Sequence, residues 1–169
     1  MIHKIFLFGL DRAGKTVITN YLTNKVVDKT FNPTLAPNQQ LLVLKKLQSR
    51  IWDMPGQQKF RNMWVNYITG SELLVCVVDT ADTSRYMEIK KELDEVVAKV
   101  HEKLNPIPPL LILYHKMDLP ESQANLKKIQ TLFDIKRLYR GEILQLETSI
   151  KHTESLEKIF PIISEIFKE

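Results

Sequence analysis

The octapeptide Gly9-Leu-Asp-Arg-Ala-Gly-Lys-Thr16 follows the apolar run Ile5-Phe-Leu-Phe8 and opens a segment, Lys15–Asn24, whose apolar residues recur at helical spacing. Strand, glycine loop, lysine, hydroxyl and helix, in that order, make the context of a phosphate-binding P-loop, G-x-x-x-x-G-K-[ST]. The chain has only five glycines, and two of them stand at the fixed positions of that pattern. In such a loop the backbone amides of Asp11, Arg12, Ala13, Gly14, Lys15 and Thr16 surround the phosphates at the positive end of the helix. Lys15 would reach the β- and γ-phosphates, and the Thr16 hydroxyl would ligate Mg²⁺. The Arg12 side chain either leans on a phosphate or faces water, and the pattern leaves both open.

Outward from this loop, strands and helices alternate. Residues 2–8 read as a buried strand, and Val17, Ile18, Tyr21 and Leu22 give the first helix its apolar face. Residues 25–40 carry two prolines and little periodicity; a loop of that length in a compact domain is usually functional. Residues 41–44 and 49–53 read as two strands joined by a tight turn near 45–48. A weakly periodic helix is expected over 57–68, and Leu73–Asp79 is an apolar run of parallel-strand type. Tyr86, Ile89, Leu93, Val96, Val100 and Leu104 mark the clearest helix, with Asp82 or Thr83 placed to cap it. Residues 110–114 and Ile143–Glu147 read as strands, 121–133 and 153–168 as helices. Pro161 predicts a kink in the last helix, because it removes one backbone hydrogen bond. The pattern predicts an α/β fold: a mostly parallel six-stranded sheet with one antiparallel edge strand and helices on both faces.

Composition limits what this fold can serve. A chain of 169 residues suits a single domain with a full core. The longest apolar run, 73–78, is far too short to span a bilayer. The start, Met-Ile-His-Lys-Ile, has the features neither of a secretory signal nor of a myristoylation site. The lone Cys76 lies in an apolar run and reads as a core residue, which suits a reducing, cytoplasmic setting. The net charge of +4 comes from scattered lysines with no basic tract or aromatic interleaving. It reads as solvated helix faces, and no nucleic-acid partner is expected.

The remaining chemistry lies at strand ends, where open α/β sheets bind ligands. Asp53, Gly56 and Gln57 match D-x-x-G-Q. In phosphoryl transfer the aspartate would hold Mg²⁺ through water, the Gly56 amide would meet the γ-phosphate and Gln57 would orient the attacking water. Thr34 stands where a second hydroxyl ligand to the metal is needed, with Thr30 as a rival. His115-Lys116-Met117-Asp118 follows a strand. Its aspartate can accept from the N1–H and the exocyclic amine of guanine, a pair that adenine does not offer, and Lys116 would lie along the base and tie back to the P-loop. Thr148-Ser149-Ile150 closes the last strand, and its amides either bond the guanine carbonyl or form an ordinary helix-entry turn. Trp52 and Tyr67 form either an effector surface or core packing.

Together these residues resemble a Ras-superfamily small GTPase over the whole chain. The P-loop, Pro33-Thr34 and Trp52-Asp53 resemble the Arf branch. Trp52-Asp-Met-Pro-Gly-Gln57, the histidine of His115-Lys-Met-Asp118 and Thr148-Ser-Ile150 resemble the Rag/Gtr branch, which shares His115 and Ile150 where most members carry asparagine and alanine. The resemblance implies one small-GTPase (G) domain over 1–169, with GTP and GDP as ligands and Mg²⁺ as cofactor. It also implies a switch that hydrolyses GTP slowly and answers to effectors, an exchange factor and an activating protein. Neither a roadblock domain nor an N-terminal amphipathic helix is expected within 1–169, and Pro37 replaces an aromatic effector-contacting residue of Arf members. Roadblock-type partners and association with membranes through partners belong to the resemblance rather than to these residues. Two rivals remain. A P-loop kinase would need an arginine-rich lid, for which 119–141 offers only Arg137 and Arg140. A non-hydrolysing scaffold would bind guanine nucleotide without turnover.

Overall fold

The computed structural model describes every residue except Lys29, Phe31 and Glu169; the first two lie in the loop expected over 25–40. Six strands, β1 (Ile2–Phe8), β2 (Asn38–Leu44), β3 (Leu47–Asp53), β4 (Leu73–Asp79), β5 (Leu110–His115) and β6 (Ile143–Glu147), form one sheet. Its order is β2-β3-β1-β4-β5-β6. All neighbours are parallel except the β2–β3 hairpin, so the expected sheet with one antiparallel edge is borne out.

The helices are α1 (Lys15–Asn24), α2 (Trp64–Tyr67), α3 (Tyr86–Lys103), α4 (Pro120–Phe133), α5 (Ile135–Leu138), α6 (Thr153–Glu157) and α7 (Ile159–Ile166). Alternation along the strands divides the core in two. Phe6 and Phe8 of β1 join Leu110, Ile112 and Tyr114 of β5 on the face covered by Trp64, Leu93, Val97, Ile129 and Phe133. Ile5, Leu7, Leu111 and Leu113 face the other way, onto Ile18, Leu22, Leu156, Ile159 and Ile163. Covering both faces explains why β4 and β5 read as unbroken apolar runs. It also places Cys76 in the first of these cores, buried. Among the described residues no helix is long and apolar enough to cross a membrane.

Four local expectations are corrected. Strand β2 begins at Asn38, because the polar Asn38, Gln39 and Gln40 still pair with Asp53, Trp52 and Ile51 of β3. The hairpin turn is only Lys45 and Lys46, with Lys45 at φ +54°. The stretch 57–68 is a 3₁₀ helix, Gln58–Met63, followed by the single turn of α2. Two side chains draw it back onto the strand end: Trp64 Nε1 donates to the Pro55 carbonyl at 2.8 Å and Arg61 Nε to the Gly56 carbonyl at 2.7 Å. Neither Asp82 nor Thr83 caps α3; the Asp82 carboxylate instead accepts the Ser84 hydroxyl, and a 3₁₀ turn leads in.

The expected last helix is divided at Lys158 into α6 and α7. A proline ring clashes with the carbonyl four residues earlier, here that of Glu157, so the interruption falls where Pro161 demands it. Pro161 itself sits in the first turn of α7, where an amide has no intrahelical partner in any case.

Candidate nucleotide site

The P-loop, the end of β3 and the two loops after β5 and β6 meet beyond the carboxyl ends of the strands, around a cavity of about 640 Å³. That volume lies in the usual range for small-molecule sites. The cavity is lined by Asp11, Arg12, Gly14, Lys15, Thr16, Thr34, Gly56, Gln57, His115, Lys116, Asp118 and Ile150. Residues as far apart in sequence as Asp11 and Lys151 thus converge on one site, as the strand-end placement of the motifs requires.

In the P-loop, Gly14 caps α1 at φ +103°, and a Cβ there would lie 2.7–2.9 Å from the His115 ring. Glycine is therefore demanded twice, by backbone conformation and by contact. Lys15 is buried and donates to the Leu10 carbonyl at 2.8 Å. Burial lowers its pKa to about 8 despite the neighbouring Asp53 and Asp11. A polyphosphate beside it would restore the charge balance that burial removes.

Two amides depart from the expectation that those of residues 11–16 all face phosphate. The Asp11 amide donates to the Gly56 carbonyl at 3.1 Å, and that of Ala13 to the Leu10 carbonyl at 3.3 Å. The Asp11 carboxylate pairs with Arg85 at 2.7 Å and Arg61 at 3.4 Å. Arg12 lines the cavity at φ +64°, and its carbonyl accepts from Lys116 Nζ at 2.8 Å.

The three oxygen-bearing residues expected at a metal are together. Thr16 Oγ1 donates to Asp53 Oδ2 at 2.6 Å and lies 2.8 Å from Thr34 Oγ1. Asp53 is fully buried, its pKa is raised by that burial, and its Oδ1 has no hydrogen-bond partner among the described residues. A buried carboxylate oxygen left unpaired beside two hydroxyls is an all-oxygen donor set, which fits Mg²⁺. Thr30, the rival, turns both its amide and its hydroxyl to Asp28, at 2.8 and 2.6 Å. Both threonines line the cavity, and it is Thr34 that meets Thr16.

Gly56 packs so closely on the P-loop that a Cβ would lie 2.4 Å from the Asp11 amide nitrogen and 2.5 Å from Lys15 Nζ. Gln57 follows in extended conformation at the head of the 3₁₀ helix, half-buried and on the cavity wall.

At the other end of the cavity, Lys116 Nζ ties Arg12 to Asp79, 2.6 Å away, which is the bridge to the P-loop expected of it. Asp118 Oδ1 accepts from the Ser149 hydroxyl at 2.7 Å, and Oδ2 lies 3.1 Å from Lys151 Nζ. Burial would raise its pKa, but these hydrogen bonds outweigh it and hold the carboxyl below its usual range. Of the two readings of the closing segment, the helix-entry turn accounts for two of its amides. The Ser149 amide donates to Ser155 Oγ and that of Thr148 to the Tyr114 carbonyl, both at 2.9 Å. Ser149 therefore serves the site through its hydroxyl, while Ile150 lines the cavity.

His115 spans from the closing segment to the P-loop. Its Nδ1 lies 2.9 Å from Thr148 Oγ1, the ring abuts Gly14, and burial lowers its pKa to about 4. The fold accommodates the neutral ring. That contribution is full above the ordinary value near 6.5 and is lost as pH falls from there towards 4. Between about pH 7.5 and about pH 5 the wild type should lose about 2 kcal/mol more stability than His115→Asn. Urea unfolding of both proteins at the two pH values measures the difference; parallel losses would show that the buried imidazole is not the cause.

Trp52 and Tyr67 pack on each other with ring centroids 5.3 Å apart, against the core. Arg137 and Arg140 are both exposed and absent from the cavity wall, and the Arg140 amide reaches His101 near the far end of α3. The kinase lid has no support here. Sequence reading missed Arg61, Arg85 and Lys151. The one available signal was the Arg85, Glu88 and Glu92 spacing, which puts two acids and a base on one face of a helix beside the P-loop.

Comparison with known proteins gives a consistent result. The family model described as "ADP-ribosylation factor family" matches residues 1–166. ADP-ribosylation factor-like protein 5A of Homo sapiens is 36% identical over 120 residues, 70% of this chain and 64% of the relative. The alignment thus spans somewhat less than two thirds of that relative's length. ADP-ribosylation factor-like protein 8b of Arabidopsis thaliana is 29% identical over 156 residues, 92% of this chain and 83% of the relative. The structure of the Arl6 BBS3 small GTPase from Trypanosoma brucei, with bound nucleotide analogue GppNp, superposes with a TM-score of 0.85. It covers 98% of this chain and 96% of that one at 20% identity, a likeness of fold. These matches fall on the Arf side of the resemblance, not specifically on its Rag/Gtr side.

Proposed function

Because the chain belongs to the ADP-ribosylation factor family of small GTPases, we propose that it binds GTP and GDP with Mg²⁺ and slowly hydrolyses GTP. The observation that carries this reading is the meeting of Thr16, Thr34 and Asp53 within hydrogen-bond distance, at the head of α1 and beside Lys15. Of the two branches that the sequence resembles, the Arf-like one has the support of the match over 1–166. The Rag/Gtr features stay confined to the residues around Trp52–Gln57, His115 and Thr148–Ile150, and a roadblock-type partner belongs to that reading alone.

The chain's own residues divide the work. Lys15 and the α1 N-terminus hold the phosphates, and Asp118 holds the base. Gln57 orients the attacking water, and Thr16, Thr34 and Asp53 hold Mg²⁺. The ion neutralises charge on the phosphate oxygens when bound. Thr34 reaches this site from the long loop before β2. Its hydroxyl meets that of Thr16 directly, so a γ-phosphate and its metal would decide whether Thr34 stays at the site, which is the switch proposed here. Effectors would read the closed form, an exchange factor would open the site, and an activating protein would raise turnover by ~10³–10⁵.

The matching experiment compares nucleotides in Thr34→Ala. Removing the hydroxyl should weaken GTP binding in Mg²⁺ by ~10-fold, one charge-assisted contact, and leave GDP binding within about twofold. Equal loss for both nucleotides would contradict the switch.

A further inference from the structure

Arg61 is a buried cation, and no part of it lines the nucleotide cavity. Its guanidinium reaches Glu88 at 2.8 Å, Glu92 at 3.2 Å and Asp11 at 3.4 Å. Arg85 shares Glu88 and Asp11 and also donates to the Asp11 carbonyl at 3.1 Å. Two cations and three carboxylates thus join three separate pieces of chain: the P-loop, the stretch after β3, and α3. Arginine presents a planar fork of donors with fixed directions, so carboxylates on several sides hold it in one orientation. Its Nε–H points at the Gly56 carbonyl at 2.7 Å. The Asp11 amide donates to the same oxygen. A carbonyl engaged by two donors fixes its peptide plane, and this peptide is the one that joins Gly56 to Gln57.

We propose that Arg61 is a positioning residue: clamped by Asp11, Glu88 and Glu92, it fixes the Gly56–Gln57 peptide and so aims the Gln57 side chain. The inference rests on the role given to Gln57 in the proposed GTPase reaction. Arg61 touches neither nucleotide nor water in this scheme and acts through the Gly56 carbonyl alone. A purely structural ion cluster would lower stability without touching the chemical step selectively.

Arg61→Lys decides between the two. Lysine keeps the charge among the carboxylates but has no side-chain N–H fork to hold the Gly56 carbonyl at the same time. In single-turnover assays with preloaded GTP and Mg²⁺, hydrolysis should fall ~10- to 100-fold, the size expected for a misplaced reacting group. GDP affinity should stay within about twofold of wild type. Adding Gln57→Leu to Arg61→Lys should slow hydrolysis no further than Gln57→Leu alone, because both act on one element. Unchanged hydrolysis in Arg61→Lys, or multiplied effects in the double variant, would overturn the proposal. If the wild type binds GTP and leaves it intact, the hydrolysis reading fails first. Amide exchange at Gln57 in the GTP-loaded proteins then decides on Arg61: faster exchange in Arg61→Lys upholds the positioning role, and equal exchange overturns it.

Discussion

Asp118→Ala should abolish the preference for guanine over adenine nucleotide. The carboxylate is nearly buried, ionised, and held at both oxygens by the Ser149 hydroxyl and Lys151. An ionised carboxylate has about four acceptor positions, so two remain for the N1–H and amine of guanine. Adenine would leave these unpaired and would turn an acceptor towards the carboxylate. Sites built on buried polar pairing reject the wrong partner by ~10⁴-fold, far more than shape alone achieves. Competition of GTP and ATP against a fluorescent guanine nucleotide measures the ratio, with circular dichroism as a check on folding. A ratio near that of the wild type would remove Asp118 from base recognition. Asp118→Asn should instead turn the site towards xanthine nucleotides, since one acceptor becomes a donor and xanthine offers a carbonyl there.

Gln57→Leu carries the second large effect. Gln57 stands half-buried at the end of the extended chain that leaves β3, on the cavity wall with Thr34 and Gly56. Its side chain is half-buried on the cavity wall, so leucine should leave the fold intact. With the role proposed for Gln57, orienting the attacking water, its loss should slow hydrolysis of bound GTP by ~10²-fold or more, in line with positioned acid–base and orienting groups. GTP affinity should change by less than about threefold, because the ground state loses no phosphate contact. Phosphate release under single-turnover conditions reads the first quantity and equilibrium titration the second. Equal rates in the two proteins would take Gln57 out of the reaction.

Much of the site was legible because its residues act through local backbone context. The P-loop needs a strand before it and a helix after it, and both are visible in the apolar spacing around Gly9 and Thr16. Asp53 likewise ends a strand, with Gly56 and Gln57 just beyond it, and Lys116 and Asp118 follow another. The sheet was legible for the same reason, with β4 and β5 standing out as strands buried on both faces. What escaped depends on the reach of side chains across the fold. Arg61 is an ordinary basic residue in a weak helical pattern until its guanidinium is seen among Asp11, Glu88 and Glu92. Ser149 could be expected to offer an amide, but Ser155 takes that amide and leaves the hydroxyl to Asp118. The first half of β2 was invisible because its polar residues pair at a solvated sheet edge, where the backbone ladder rather than apolar alternation makes the strand.

Under the proposed function the two halves of the cavity carry separate tasks. Asp118, Ser149 and Lys151 would select the base; Lys15, Thr16, Thr34, Asp53 and Gln57 would handle the phosphates. Lys116, bonded to both Arg12 and Asp79, links the two halves. Binding alone would need only the first half and the P-loop, whereas Gln57 and Thr34 have work only if a γ-phosphate is sensed and cleaved. The most direct test is a single-turnover reaction of purified protein loaded with GTP and started with Mg²⁺. The expected result is slow release of one phosphate per bound GTP, leaving GDP on the protein, with no release when the metal is chelated. GTP recovered intact from the folded, loaded protein would contradict the account and leave a guanine-nucleotide-binding scaffold in its place.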